Sequence, residues 1–165
     1  AAHERVLYDQ LLEAIACGTP PQRPRMAPQV LMLAAHELQL AEEHRPMLEA
    51  CGFTLDQFGP GAVAIRTIPA VVPVSQAEAI CRRLVQRLRD TVTERRDETL
   101  PQMLACLAAL KAGTSLSLPA QQQLLRDWGH SPQLHACAHN RPVYFRLSLD
   151  EIRRRIGRTA GSCEA

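Results

Sequence analysis

Apolar residues recur at helical spacing over residues 3–16, where Val6, Leu7, Leu11, Ala14 and Ile15 fall on one stripe and Gly18 stops the run. The stretch from Thr19 to Pro28 breaks the pattern. It carries four prolines and two arginines, so it is expected to be a linker, neither helix nor central strand. Gln29 to Leu33 is an apolar run expected to form a strand reaching toward Leu38. Residues 40–51 read as a helix ended by Gly52, with Pro46 kinking it or delaying its start. Phe53–Gln57 and Ala62–Ile68 read as two strands joined by a Phe58-Gly-Pro-Gly61 turn.

The second half is marked by capping boxes, in which a hydroxyl and a Glu or Gln three residues on satisfy each other's backbone N–H groups. Ser75-Gln-Ala-Glu78 opens a helix with the stripe Ile80, Leu84 and Leu88. Arg82, Arg83, Arg87 and Arg89 lie on its other face. A charged stretch, Thr93 to Glu98, reads as a boundary. Thr99-Leu-Pro-Gln102 opens a helix running from Met103 to Ala112, apolar nearly all round and so expected to be central. A further helix over 118–128 should turn Leu124, Leu125 and Trp128 inward. Val143 to Leu147 alternates like a half-buried strand. Ser148-Leu-Asp-Glu151 starts a last helix with Leu149, Ile152 and Ile156 on one face and Arg153, Arg154 and Arg155 mostly on the other. From Thr159 the tail is small and polar, and is expected to be disordered.

The pattern predicts an α+β fold, an α/β sandwich-like arrangement in two lobes. The outer lobe takes 1–24 and 98–165 from both chain ends, and 25–97 is inserted between them. Apolar residues make up 46% of the 165, enough for a packed core, while aromatics are only 4%, so Leu, Val, Ile and Ala must build it. The net charge of +2 gives no large phosphate-neutralising surface. Any DNA binding is expected to be weak, nonspecific and salt-dependent, through the Arg82–Arg89 and Arg153–Arg155 faces. The six cysteines are scattered, several in apolar helical patterns, which fits a reduced intracellular compartment better than a disulfide framework. No apolar run approaches the roughly 18 residues that a membrane span needs, so no membrane partner is expected.

Three segments carry the candidate chemistry. In Cys137-Ala-His139-Asn-Arg141-Pro142, a thiol and an imidazole flank one residue in a short loop. Thiolate and neutral imidazole both suit zinc and its neighbours. The plain alternative is a buried cysteine beside a loop histidine. Glu4 lies in the first turn of the first helix, where the helix dipole favours a carboxylate. Cys106 lies within the apolar helix.

Ala1-Ala2-His3-Glu4-Arg5, Ala105-Cys106-Leu-Ala-Ala-Leu-Lys111-Ala-Gly113 and the Cys137–Pro142 loop together resemble the C-terminal domain of the MutL family of DNA mismatch-repair proteins. Endonuclease-active members of that family carry Asp-Gln-His-Ala-x-x-Glu-x-x-x-x-Glu, then Ala-Cys-(His/Lys)-x-x-(Ile/Leu)-Lys-Ala, then Cys-Pro-His-Gly-Arg-Pro, then Phe-x-Arg. The similarity runs through essentially the whole chain, in order, to Ile156-Gly-Arg158. It implies a dimerising domain with a latent, metal-dependent DNA-nicking site and an inserted regulatory lobe. By position it implies Glu4, Cys106, Cys137 and His139 as ligands of zinc or manganese, with Glu4, Asp9 and Arg158 as catalytic residues.

The resemblance also implies a homodimer in the cytoplasm or nucleoid of a bacterium, an ATP-binding domain upstream, and a MutS-type mismatch sensor as partner. Gln29, Leu31 and Met32 lie where some members bind the replication sliding clamp. The departures are specific. Asp-Gln-His would precede Ala1, so the sequence is expected to be a piece of a longer protein. Asp9 stands for the second Glu, Leu107 for His or Lys, and Ala138 and Asn140 for Pro and Gly. A non-catalytic dimerisation module with a structural or degenerate metal site is the competing expectation.

Overall fold

A computed structural model describes residues 1–18, 22–94 and 99–157; for 25–28 and 91–94 only the backbone is described. The chain forms α1 (Ala2–Ala16), β1 (Gln22–Met32), α2 (Ala35–Glu43), α3 (Arg45–Ala50), β2 (Thr54–Gln57), β3 (Ala62–Pro69), a 3₁₀ turn (Val74–Gln76), α4 (Ala77–Glu94), α5 (Leu100–Ala108), α6 (Leu118–Gly129) and α7 (Leu149–Arg155). This is the expected α+β class. Among the described residues the strands make one antiparallel sheet in the order β1-β3-β2.

The apolar stripe of α1 turns Val6, Leu7, Leu11 and Ala14 inward, and Gly18 leaves the helix at φ +68°, where a side chain would be strained. Central β3 is buried on both faces, which is why Ala62, Val63, Ala64 and Ile65 run consecutively without alternation. α5 packs against both α1 and α4. One continuous apolar cluster follows, from Leu7 and Leu11 through Leu104, Met103 and Leu84 to Ile65, Leu31, Phe53 and Leu48. The Thr99 capping box is present as read: Gln102 Oε1 accepts from Thr99 N at 2.8 Å. Ser148 likewise accepts from Glu151 N at 3.1 Å.

Several expectations need correction. The linker at Thr19–Pro28 is strand from Gln22 onward. β1 lies at a sheet edge, where a proline need not donate to a neighbour, and its pairing with β3 breaks register between Pro24 and Gln29. The strand stops at Met32, because Glu37 caps a new helix by accepting from Ala34 N at 2.9 Å. The helix expected over 40–51 is two helices, with Pro46 in the first turn of the second, where a missing N–H costs nothing.

α5 ends at Ala108, four residues early, since Ala109 is already extended at ψ 146°. Residues 143–147 form no strand. The pairing there is a single bridge, Ala136 to Pro142, and Phe145 is 81% exposed. Leu125 is 61% exposed on α6, so of the three residues expected inward it is on the outside. The tail from Thr159 lies outside the described residues.

Candidate metal centre

Three elements bring one donor each to a common point. The first turn of α1 supplies Glu4, the last turn of α5 supplies Cys106, and the 136–142 loop supplies His139. A carboxylate oxygen of Glu4, the thiol of Cys106 and a ring nitrogen of His139 all lie within 4.8 Å of one another. His139 Nδ1 is 2.7 Å from Glu4 Oε1. The two side chains keep 22% and 14% of their surface exposed, so the point is shielded but reachable from solvent. A carboxylate beside Nδ1 favours the proton on that nitrogen, and a carboxylate so placed is a common way of orienting a histidine that binds metal.

The loop is held by its own backbone. Cys137 N donates to Arg141 O at 2.8 Å, Asn140 N to Cys137 O at 2.9 Å, and Val143 N to His135 O at 2.9 Å. Asn140 adopts φ +58° to close the turn; among described non-glycine residues it alone has positive φ. Cys137 is 3% exposed and its Sγ accepts from His139 N at 3.4 Å. Its thiol braces the turn from inside and is not part of the group formed by Glu4, Cys106 and His139.

Asp9 is one α1 turn beyond Arg5 and faces elsewhere. It accepts from Arg5 Nε at 3.1 Å and is hydrogen-bonded by the Ser131 hydroxyl, while Arg5 also donates to Gln133 Oε1 at 3.1 Å. Arg5 is 5% exposed, so this network neutralises a buried guanidinium. Arg158 lies outside the described residues. On β1, Gln29 Nε2 donates to Glu78 Oε2 at 2.6 Å, Leu31 is fully buried, and Met32 is 60% exposed.

His3 was not singled out by the sequence reading, yet its Nδ1 accepts from Leu110 N at 2.9 Å, tying the start of α1 to the exit of α5. Burial, as the main cause, holds its pKa below 6.5 and so favours the neutral ring that this acceptor role requires. Its place beside Glu4 was the only signal available for it.

A family model described as the MutL C terminal dimerisation domain matches residues 1–116. DNA mismatch repair protein MutL of Pseudomonas entomophila is 33% identical over 156 residues, covering 92% of this chain and 25% of the relative. The MutL proteins of Pseudomonas putida strain GB-1, at 31%, and of Pseudomonas aeruginosa strain LESB58, at 33%, match over the same shares. The chain belongs to the MutL family.

It spans about a quarter of the length of the MutL proteins it matches. The span matched by the MutL family model contains Glu4 and Cys106 but stops before the loop that bears His139. The longer matches to the MutL relatives leave out only 8% of the chain, too little to exclude that loop from both ends. Among the described residues, no helix is long and apolar enough to cross a membrane.

Proposed function

We propose that this MutL C-terminal domain dimerises and carries a divalent-metal site for DNA nicking, held by Glu4, Cys106 and His139. The convergence of carboxylate, thiol and imidazole within 4.8 Å, from segments as much as 135 residues apart, is the observation that supports the reading. A carboxylate brought beside a thiol and an imidazole is costly to gather in a plain core, and this mixed O, S, N set suits zinc, with manganese as the harder alternative. A bound ion of this class activates water and stabilises a leaving oxygen in phosphodiester cleavage. The chain's own part is to gather the donors, keep His139 in its Nδ1-donating form through Glu4, and limit water access. Cys137 and Arg158 retain their proposed roles by resemblance, as ligand and catalytic residue. Asp9, engaged with Arg5 and Ser131, would need to exchange partners to act.

The partners follow the same reading. DNA contact is weak and nonspecific, because surface arginines such as Arg153 and Arg155 are already paired with Asp150 and Glu151. The segment 25–97 is proposed as the inserted regulatory lobe. Clamp binding through Gln29, Leu31 and Met32 would rest on Met32, since Leu31 is in the core. A MutS-type sensor and an upstream ATP-binding domain belong to the longer protein.

A second reading, a dimerisation module with a degenerate site, is favoured by Asp9's engagement with Arg5 and Ser131. Incubation of supercoiled plasmid with the Mn²⁺-loaded chain separates the two. Relaxed circles that disappear in His139→Ala and Cys106→Ala support the nicking site. Stoichiometric zinc uptake without any nicking, including by the full-length protein, supports the module.

A further inference from the structure

The loop that carries His139 buries Cys137 and Ala138, which are 3% and 6% exposed. Its own hydrogen bonds, Cys137 to Arg141 and Asn140 to Cys137, shape the turn but do not fix where the turn sits. Two hydrogen bonds from other elements help to fix it, the Glu4–His139 contact from α1 and a second from α5. Gln102 Nε2 donates to Ala138 O at 2.9 Å, from α5 to the residue between Cys137 and His139. Gln102 and Cys106 are four residues apart on α5, so their side chains lie on one helix face, one turn above the other. The helix that presents the thiol therefore also grips the loop that presents the imidazole.

We infer that Gln102 is a positioning residue for the metal centre, setting the distance between Cys106 and His139 by clamping the Ala138 carbonyl. The inference rests on the metal reading proposed above. The side chain is divided between two tasks. Its oxygen, Oε1, accepts from Thr99 N at 2.8 Å and so caps α5. Its nitrogen, Nε2, holds the loop. Because the amide is fixed by the cap, its N–H points in one direction, and the loop carbonyl is captured at little entropic cost. Outer-layer contacts of this kind hold metal ligands in register, and losing one weakens metal affinity roughly 10- to 100-fold.

The division of tasks gives a clean test. Gln102→Glu keeps an oxygen for the cap and removes the donor to Ala138. Gln102→Ala removes both. The intact chain is titrated with Co²⁺, reading affinity and the thiolate-to-cobalt charge-transfer band, alongside thermal unfolding and hydrogen exchange of the metal-free protein. In Gln102→Glu the expected result is roughly 10- to 100-fold weaker Co²⁺ binding with a diminished band. Its unfolding temperature should fall by less than that of Gln102→Ala, and exchange should be faster at the Cys137 and Asn140 amides but not along α5. An added carboxylate would by itself attract a cation, so weaker uptake has a positional origin. Gln102→Ala should weaken binding similarly and also lower the unfolding temperature.

Co²⁺ affinity, band and loop exchange at unsubstituted levels in Gln102→Glu, with Cys106→Ala losing the band, overturn this inference and leave the metal reading standing. No band in the unsubstituted chain overturns the metal reading and this inference with it.

Discussion

His139 Nδ1 and Glu4 Oε1 lie 2.7 Å apart although 135 residues separate them. Both side chains are mostly buried, so removing either takes a hydrogen bond from a shielded group. In metal-free buffer His139→Ala is expected to cost about 1–2 kcal/mol of stability, and Glu4→Gln less, because the amide oxygen still accepts. Both should reduce zinc uptake. Chemical denaturation with and without zinc reads both effects. Equal stability of all three proteins in chelator, together with equal zinc uptake, would show that the pair contributes nothing.

Thiol chemistry should sort the cysteines by depth. Burial pushes Cys51 and Cys81 up to about 12, so neither forms thiolate near pH 8. Cys17 is exposed and Cys106 half-buried. A maleimide or disulfide reagent on the native protein should label Cys17 and Cys106 and spare Cys51 and Cys81. Zinc should protect Cys106 selectively. Peptide mapping that finds early labelling of Cys81 would place that side chain in the wrong environment.

Asn140 closes the loop at φ +58°, a conformation that costs most residues about 1–2 kcal/mol and asparagine less. Asn140→Gly should therefore be close to neutral for stability, while Asn140→Val should lose about 1–2 kcal/mol and loosen His139. Thermal unfolding and zinc titration of the two variants give the comparison. A harmless valine would contradict the turn.

Self-association should use the outer surface near the C-terminal helix rather than α5, whose apolar sides are already covered by α1 and α4. Phe145, Leu149 and Ile156 are 81%, 62% and 62% exposed, an apolar set that a partner copy would cover. Phe145→Glu combined with Leu149→Glu is expected to convert a dimer to a folded monomer in light scattering at tens of micromolar. A dimer that survives both substitutions moves the interface elsewhere.

What could be read in the sequence was local. Hydroxyl-to-Gln or hydroxyl-to-Glu spacing marked the start of α5 and α7, and the Gly-Pro-Gly turn between two short runs rich in apolar residues marked β2 and β3. Motif order singled out Glu4, Cys106, Cys137 and His139, of which Glu4, Cys106 and His139 come together and Cys137 does not join them. Errors came where tertiary placement outweighed local preference. Pro24 sits in a strand because β1 is at an edge, a fact set by sheet order. Residues 143–147 alternate correctly but form no strand, since only Ala136 bridges to Pro142 beside them. Nothing in the helical stripe of 118–128 said that Leu125 would face out. The roles of His3 and Gln102 depend on carbonyl and amide groups far away in the chain, which no spacing encodes.

The prolines of β1 have a consequence for how copies of this domain can meet. A strand at a sheet edge is a template on which a foreign strand can add, turning pairing into polymer growth. Here the ladder skips between Pro24 and Gln29, and positions 24 and 28 have no N–H to offer. The opposite edge, β2, is four residues long and carries the Asp56–Arg66 ion pair at 2.7 Å. Neither rim can be extended smoothly. Crowding such molecules together therefore leaves them free to stop at a closed assembly, without the runaway stacking that a smooth rim would invite.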